Sequence, residues 1–158
     1  MDIRTYDRGE VIFRQGDPGD CMYDIQFGRV GIFNDYGGPN EKKLAELMSD
    51  QLFGEMSLLD GAPRSATAVS LDPQTVVAAI TEKEFFEYFD EQPVKILLLM
   101  QQMCNRLRRT SKDYKNACRT VYETVESEKS GKPQSGFLAE SIKKLAELYK
   151  DFNFYAHT

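Results

Sequence analysis

Phe53-Gly54-Glu55-Met56-Ser57-Leu58-Leu59-Asp60-Gly61-Ala62-Pro63-Arg64-Ser65-Ala66-Thr67-Ala68 is the stretch from which the fold is read. Gly54 permits a close backbone approach or an unusual φ. Glu55 to Leu59 has the composition of one short helical turn, and Gly61 can end it. Pro63 stiffens the exit, so the next residue is held firmly and Arg64 begins the following strand. A helix start presents unpaired N–H groups, which favour an anion. An arginine across from that start adds a planar fork suited to phosphate oxygens. Glu55, an acceptor only at neutral pH, can take hydrogen bonds from a sugar hydroxyl. Together these residues describe a small cage for one phosphate and its ribose. The same residues also admit a ligand-free reading, in which Glu55 and Arg64 form a structural ion pair and Gly54 serves only a turn.

Working outward, the chain changes character near residue 82. Before it lie short β-prone runs separated by Gly, Pro and Asp turns. Glu10 to Arg14 is followed by Gln15-Gly16-Asp17-Pro18-Gly19-Asp20, a dense turn signal. Cys21 to Phe27 alternates, with Cys21, Tyr23, Ile25 and Phe27 on one face and Met22, Asp24 and Gln26 on the other. Gly28-Arg29 turns into Val30 to Phe33. Asn34 to Glu41, which includes Gly37-Gly38-Pro39, reads as a hairpin loop. Lys43 to Met48, Ser65 to Leu71 and Thr75 to Ile80 read as further strands. Such spacing predicts a sandwich or barrel.

After Thr81 the pattern is helical. Thr81-Glu82-Lys83-Glu84 has the form of a capping box. A long helix is expected from Pro93 to about Glu128, with proline favoured in its first turn. Residues 130–136 read as a linker, and 137–158 as a terminal amphipathic helix and tail. The expected division is therefore a roll with short helices over 1–92, a long helix over 93–129, then linker and tail.

Composition narrows the chemistry. The 158 residues carry a formal net charge of −5, which opposes non-specific binding to nucleic acid or anionic membrane. The one histidine, His157, excludes mechanisms that need two. Cys21, Cys104 and Cys118 contain no C-x-x-C pair, so neither zinc nor a disulfide framework is supported and a reducing cytoplasm fits. The longest clean apolar run, Ile96 to Met100, is far short of a membrane span.

The central stretch resembles the phosphate-binding cassette of the cyclic nucleotide-binding domain family: Phe-Gly-Glu, aliphatic, Ala or Ser, Leu, aliphatic, a spacer, then Pro-Arg, a small residue and Ala. Phe53 to Leu59 and Pro63 to Ala66 fit throughout. Upstream, Gly9 to Phe13, Gly16 to Asp20, Tyr23 to Ile25 and Gly28 to Val30 are also similar. The resemblance spans about Tyr6 to Arg109 and implies an α+β fold, an antiparallel double-stranded β-helix (a jelly-roll-type β-roll) followed by C-terminal helices. It implies that Arg64 holds the cyclic phosphate and Glu55 the ribose 2′-hydroxyl, with backbone N–H groups near Gly54, Glu55 and Ser65 completing the cage. The expected ligand-binding set is Gly54, Glu55, Met56, Ser57, Arg64, Ser65 and Ala66. Arg64→Ala is expected to abolish binding and leave the fold intact. Two features depart from the family or leave a choice open. Many members carry a glycine near Met48-Ser49-Asp50, which this chain lacks, and Ser65 does not decide adenine against guanine.

By the same resemblance the chain is expected to sense cyclic AMP or cyclic GMP without a cofactor, shift its C-terminal helices and signal through a protein effector. A cage that holds a phosphate supplies no general base or metal, so no enzyme is expected. On a heptad count, Leu97, Cys104, Ser111, Cys118 and Val125 form one row, and Met100, Leu107, Tyr114 and Val121 the other. This is the spacing of a homodimer seam, or of a stripe packed on the chain's own roll. Arg106, Arg108, Arg109, Lys112, Lys115 and Arg119 make the helix basic, either as a solvated face or as a docking patch. One helix after the linker is too few for a helix-turn-helix, so DNA binding is not expected. The alternatives are a transcription regulator resembling the catabolite activator, working through the basic helix, and a β-roll scaffold that has lost its nucleotide.

Overall fold

The computed structural model describes the backbone of residues 1–129 and the side chains of 1–123. The expected linker over 130–136 and terminal helix and tail over 137–158 lie outside the described residues. Eight strands precede the helices: β1 Asp2–Tyr6, β2 Val11–Phe13, β3 Cys21–Phe27, β4 Val30–Asn34, β5 Lys42–Leu47, β6 Leu52–Phe53, β7 Thr67–Ser70 and β8 Thr75–Thr81. The helices are α1 Glu55–Asp60, α2 Phe85–Glu91 and α3 Pro93–Lys129. The strands form two four-stranded sheets, ordered β1-β8-β3-β6 and β2-β7-β4-β5, with neighbouring strands antiparallel. This is the β-roll followed by helices that the cassette implied.

β3 lies between β8 and β6 and is covered on both faces. Cys21, Tyr23 and Ile25 join Val30, Leu47, Phe53, Ala68, Val77 and Ala79 in the core of the roll. Met22 faces the other way, into a second cluster with Leu52, Ile80, Tyr88, Phe89 and Leu99. The alternation of β3 therefore separates two buried layers, and Asp24 is buried rather than solvated. Phe27 breaks the expected pattern. The register with β8 shifts between Ile25 and Phe27, and the ring emerges 62 % exposed.

Strands β1 and β6 carried no sequence signal. β1 is mostly exposed, and β6 has two residues. The expected strand Ser65 to Leu71 begins only at Thr67, and Arg64 lies in the loop before it. Its backbone is paired elsewhere: the Arg64 N–H donates to Asp17 O at 2.8 Å, and its carbonyl accepts from the Gly16 N–H at 2.9 Å.

The capping box forms, with the Glu84 carboxylate accepting from the Thr81 N–H at 3.0 Å and hydroxyl at 2.8 Å. A contact with the Met1 ammonium, followed by those two bonds, pulls Glu84 down to about 2. The chain breaks between α2 and α3 at Gln92, where Pro93 disfavours helical geometry in the residue before it.

Residues 1–99 form one compact unit, and Met100 onward belongs to a second. The division between the two units falls inside α3. Lys95 and Leu99 are buried with the roll's helical layer, which fixes the root of α3 within the first unit. In the second unit, Met100, Met103, Leu107 and Tyr114 are exposed, as are Cys104 and Cys118.

Gly28, in the β3–β4 turn, sits at φ 85, and a Cβ there would lie 2.7 Å from Thr75 Oγ1 and 3.1 Å from Thr75 Cα. Gly28→Ala is expected to lower unfolding stability by about 1–3 kcal/mol in a urea titration. An unchanged midpoint would show that the turn can relax.

Candidate functional site

The site is built where the loop after β2, the start of β3 and the β6–α1 junction meet. Gly54 takes φ 73, the left-handed conformation suited to glycine, and turns the chain from β6 into α1. A Cβ on Gly54 would lie 2.7 Å from Arg64 Nη1 and 3.3 Å from the Phe13 ring, so the missing side chain also makes room for the guanidinium. Gly61 closes α1 at φ 71, with its N–H donating to Ser57 O.

Arg64 points inward. It is 3 % exposed. Nη1 donates to Gly54 O at 2.7 Å and Nη2 to Cys21 O at 2.7 Å, with Cys21 Sγ 3.8 Å from Nη2. The guanidinium carbon stands 4.3 Å over the Phe13 ring and 5.7 Å from that of Tyr23. Phe13, Tyr23 and Phe53 pack together beneath it, with centroids 5.1–5.8 Å apart. Arg64 Nε has no hydrogen-bond partner, the one such buried side-chain nitrogen or oxygen among the described residues. An orphaned buried donor costs about 1–3 kcal/mol, and an incoming anion relieves it.

The other expected residues divide. Glu55 and Ser57 are buried, at 1 % and 3 % exposure, on the first turn of α1. Ala66 is buried and Ser65 half-buried. Met56 is exposed at 37 % and stands apart from the buried group. Gly54, Ser57 and Arg64 are brought together, and sequence reasoning missed the residue that joins them. A Cβ on Gly19 would lie 2.3 Å from Ser57 Cβ and 3.0 Å from Arg64 Cζ, so the β2–β3 loop lies directly on the pair. Its dense Gly-Pro-Asp composition was the available signal, read only as a turn. Cys21, Phe13 and Tyr23 were likewise read as strand residues. Burial, then the hydrogen bond with Cys21, pushes the Tyr23 phenol well above its ordinary range.

The geometry also corrects the expectation for Arg64→Ala. Truncation removes the donors to two main-chain carbonyls and hollows the space above Phe13. Stability is expected to fall by about 1–3 kcal/mol for each carbonyl left unpaired, read by urea denaturation against Arg64→Lys, which keeps the charge and part of the packing. Equal midpoints for Arg64→Ala and the parent would remove the structural role.

The family model for the cyclic nucleotide-binding domain matches residues 3–92. The cyclic AMP receptor protein of Thermus thermophilus is 37 % identical over 105 residues, 66 % of this chain and 48 % of that protein. A cAMP-dependent protein kinase regulatory subunit of Blastocladiella emersonii is 37 % identical over 62 residues, 39 % of this chain and 15 % of its own length. The chain thus spans about half or less of these relatives, which are regulators. Among solved structures, the Thermus thermophilus catabolite activator protein aligns with a TM-score of 0.62 at 25 % identity, over 98 % of this chain and 79 % of that one. The N-terminal domain of a Streptomyces coelicolor transcriptional regulator aligns with a TM-score of 0.50 at 31 % identity, over 71 % and 77 %.

Proposed function

The chain belongs to the cyclic nucleotide-binding domain family, and we propose that it is a non-catalytic sensor of 3′,5′-cyclic AMP or cyclic GMP that signals through its C-terminal helices. The observation that carries this is Arg64, a buried guanidinium with one N–H unpaired, set between Gly54, Ser57 and Gly19. In this reading Arg64 takes the cyclic phosphate, and N–H groups at Gly54, Glu55 and Ser65 share its charge. Glu55 accepts the ribose 2′-hydroxyl. Hydrogen bonds to charged groups contribute about 1.5–3 kcal/mol each. Micromolar affinity needs only about −8 kcal/mol in total, which the cage and a base packed on apolar side chains can supply. No cofactor is required.

The output is assigned to α3. Leu97, Met100, Leu107 and Tyr114 are 57–68 % exposed along the heptad rows. We assign this stripe to a homodimer seam. Arg108, Lys112, Lys115 and Arg119 follow one helix edge, and Arg119 bonds Glu123 at 2.9 Å. That edge is the surface we assign to a protein effector. Among the described residues no helix is long and apolar enough to cross a membrane, and the three cysteines are free.

Isothermal titration of the nucleotide-free protein is expected to give micromolar or tighter binding to cyclic AMP or cyclic GMP. Glu55→Gln and Arg64→Lys should each weaken it about 10- to 150-fold, the equivalent of one hydrogen bond to a charged group. No heat with either nucleotide from folded protein would favour the scaffold reading instead.

Sedimentation equilibrium is expected to show a dimer that Leu107→Glu dissociates. A monomeric parent would return the stripe to intramolecular packing. Gel shifts at low salt, with and without nucleotide, are expected to show no retardation of DNA; retardation would favour the transcription-regulator reading.

A further inference from the structure

Lys95 breaks two local rules. It is a cation in the first turn of a helix, where the dipole disfavours it, and it is only 8 % exposed. Three acceptors hold it there. Lys95 Nζ donates to Asp24 Oδ1 at 2.9 Å, to Asp50 Oδ1 at 3.0 Å and to Asp50 O at 3.3 Å. Burial alone would lower its pKa, but the bonds to Asp24 and Asp50 outweigh burial and raise it. Asp24, 1 % exposed, is completed on its other oxygen by the Tyr88 hydroxyl at 2.7 Å and Gln26 Nε2 at 2.9 Å.

Asp50 breaks a third rule. It sits at φ 70, a conformation natural to glycine, in the turn that leads into β6. Its N–H donates to Ile25 O at 2.8 Å. Lys95 binds both the carbonyl and the carboxylate of this strained residue.

The positions matter more than the strain. β3 and β6 pair through Tyr23–Phe53 and Asp24–Leu52. Arg64 grips this strand pair at Cys21 O and at Gly54 O, the residue after β6. Lys95 grips the same pair at Asp24 and at the turn before β6. One strand pair thus carries the cage at one end of its contacts and the root of α3 at the other.

We infer that Lys95 is a positioning residue that couples occupancy of the cage to the root of α3 through the β3–β6 pair. The inference rests on the sensor reading above. When nucleotide draws Arg64 from Cys21 O and Gly54 O, the strand pair shifts, and the Asp24–Lys95–Asp50 joint passes that shift to α3. A side chain that merely stabilised the fold would set the melting point without setting the response to nucleotide.

The test combines calorimetry with hydrogen exchange of the α3 amides at residues 96–99, using the full chain and whichever of cyclic AMP or cyclic GMP binds. In the parent, nucleotide is expected to change their exchange. Lys95→Met alone would strand a buried carboxylate, so the main variant pairs it with Asp24→Asn, which removes both charges and keeps an acceptor for Tyr88. This double variant is expected to bind nucleotide within about threefold of the parent, less than 1 kcal/mol, and to lose the nucleotide-dependent change in exchange. Lys95→Arg is expected to restore it in part. If the double variant keeps the parent's response, the joint is not the coupler. If Asp50→Gly restores the response in the Lys95→Met background, Lys95 only props up the turn and the inference falls. Failure of the parent to bind either nucleotide, seen first in the calorimeter, would overturn the sensor reading and this inference with it.

Discussion

The fold is arranged around one buried guanidinium. Moving a cation out of water costs several kcal/mol even after the protein relaxes. Arg64 recovers that through two short hydrogen bonds to main-chain carbonyls and a stack on Phe13, the latter worth up to about 2 kcal/mol when desolvated. Its acceptors come from two distant parts of the chain, Cys21 and Gly54. Its backbone is tied to a third, the loop at Gly16 and Asp17. A single residue therefore sets the distances among the β2–β3 loop, the start of β3 and the β6–α1 junction. Glycine stands at 19 and 54 because a Cβ at either would meet the guanidinium.

β3 extends that arrangement to the helices. Cys21, Tyr23 and Ile25 face the roll core beneath Arg64, and Met22 and Asp24 face α2 and the root of α3. A strand buried on both sides cannot move on one face without moving on the other, because close-packed interiors transmit displacement. Asp24 makes the second face polar where Met22 alone would have kept it apolar. Exchanging a hydrophobic contact for hydrogen bonds of fixed length gives the α3 root a defined position on the strand.

How much of this the sequence disclosed depended on the range of each signal. The cassette was legible because special residues stand together: Gly54 and Gly61 bracket α1, and Pro63 precedes Arg64. The capping box at Thr81 and Glu84 and the proline opening α3 were legible for the same reason. β1 was not, since its place depends on pairing with β8, 69 to 77 residues away. The exposure of Phe27 follows from a register shift that no periodicity records. The inward turn of Arg64 was missed because its partners are backbone carbonyls, which leave no residue-type signature. Asp24 reads as an outward polar residue in an alternating strand, and Lys95 as one cation on a helix. Only the fold places them 2.9 Å apart.

Among the described residues, left-handed φ at a non-glycine residue occurs at Asp35, Asp50 and Gln74, and two places where local rules fail touch the same strand pair. At one, Arg64 Nε is left without an acceptor. At the other, Asp50 holds a left-handed φ while Lys95 sits buried in a helix's first turn. At the surface, by contrast, Arg29 pairs with both Asp72 and Glu46. Strain kept by a chain whose other choices agree with its fold marks the parts that do something besides fold. The unpaired donor is a want that an anion fills. The buried ammonium has no such want, since every acceptor around it is already in place. That difference divides their proposed roles: Arg64 receives the ligand in the sensor reading, and Lys95 ties two pieces of the chain to the root of α3.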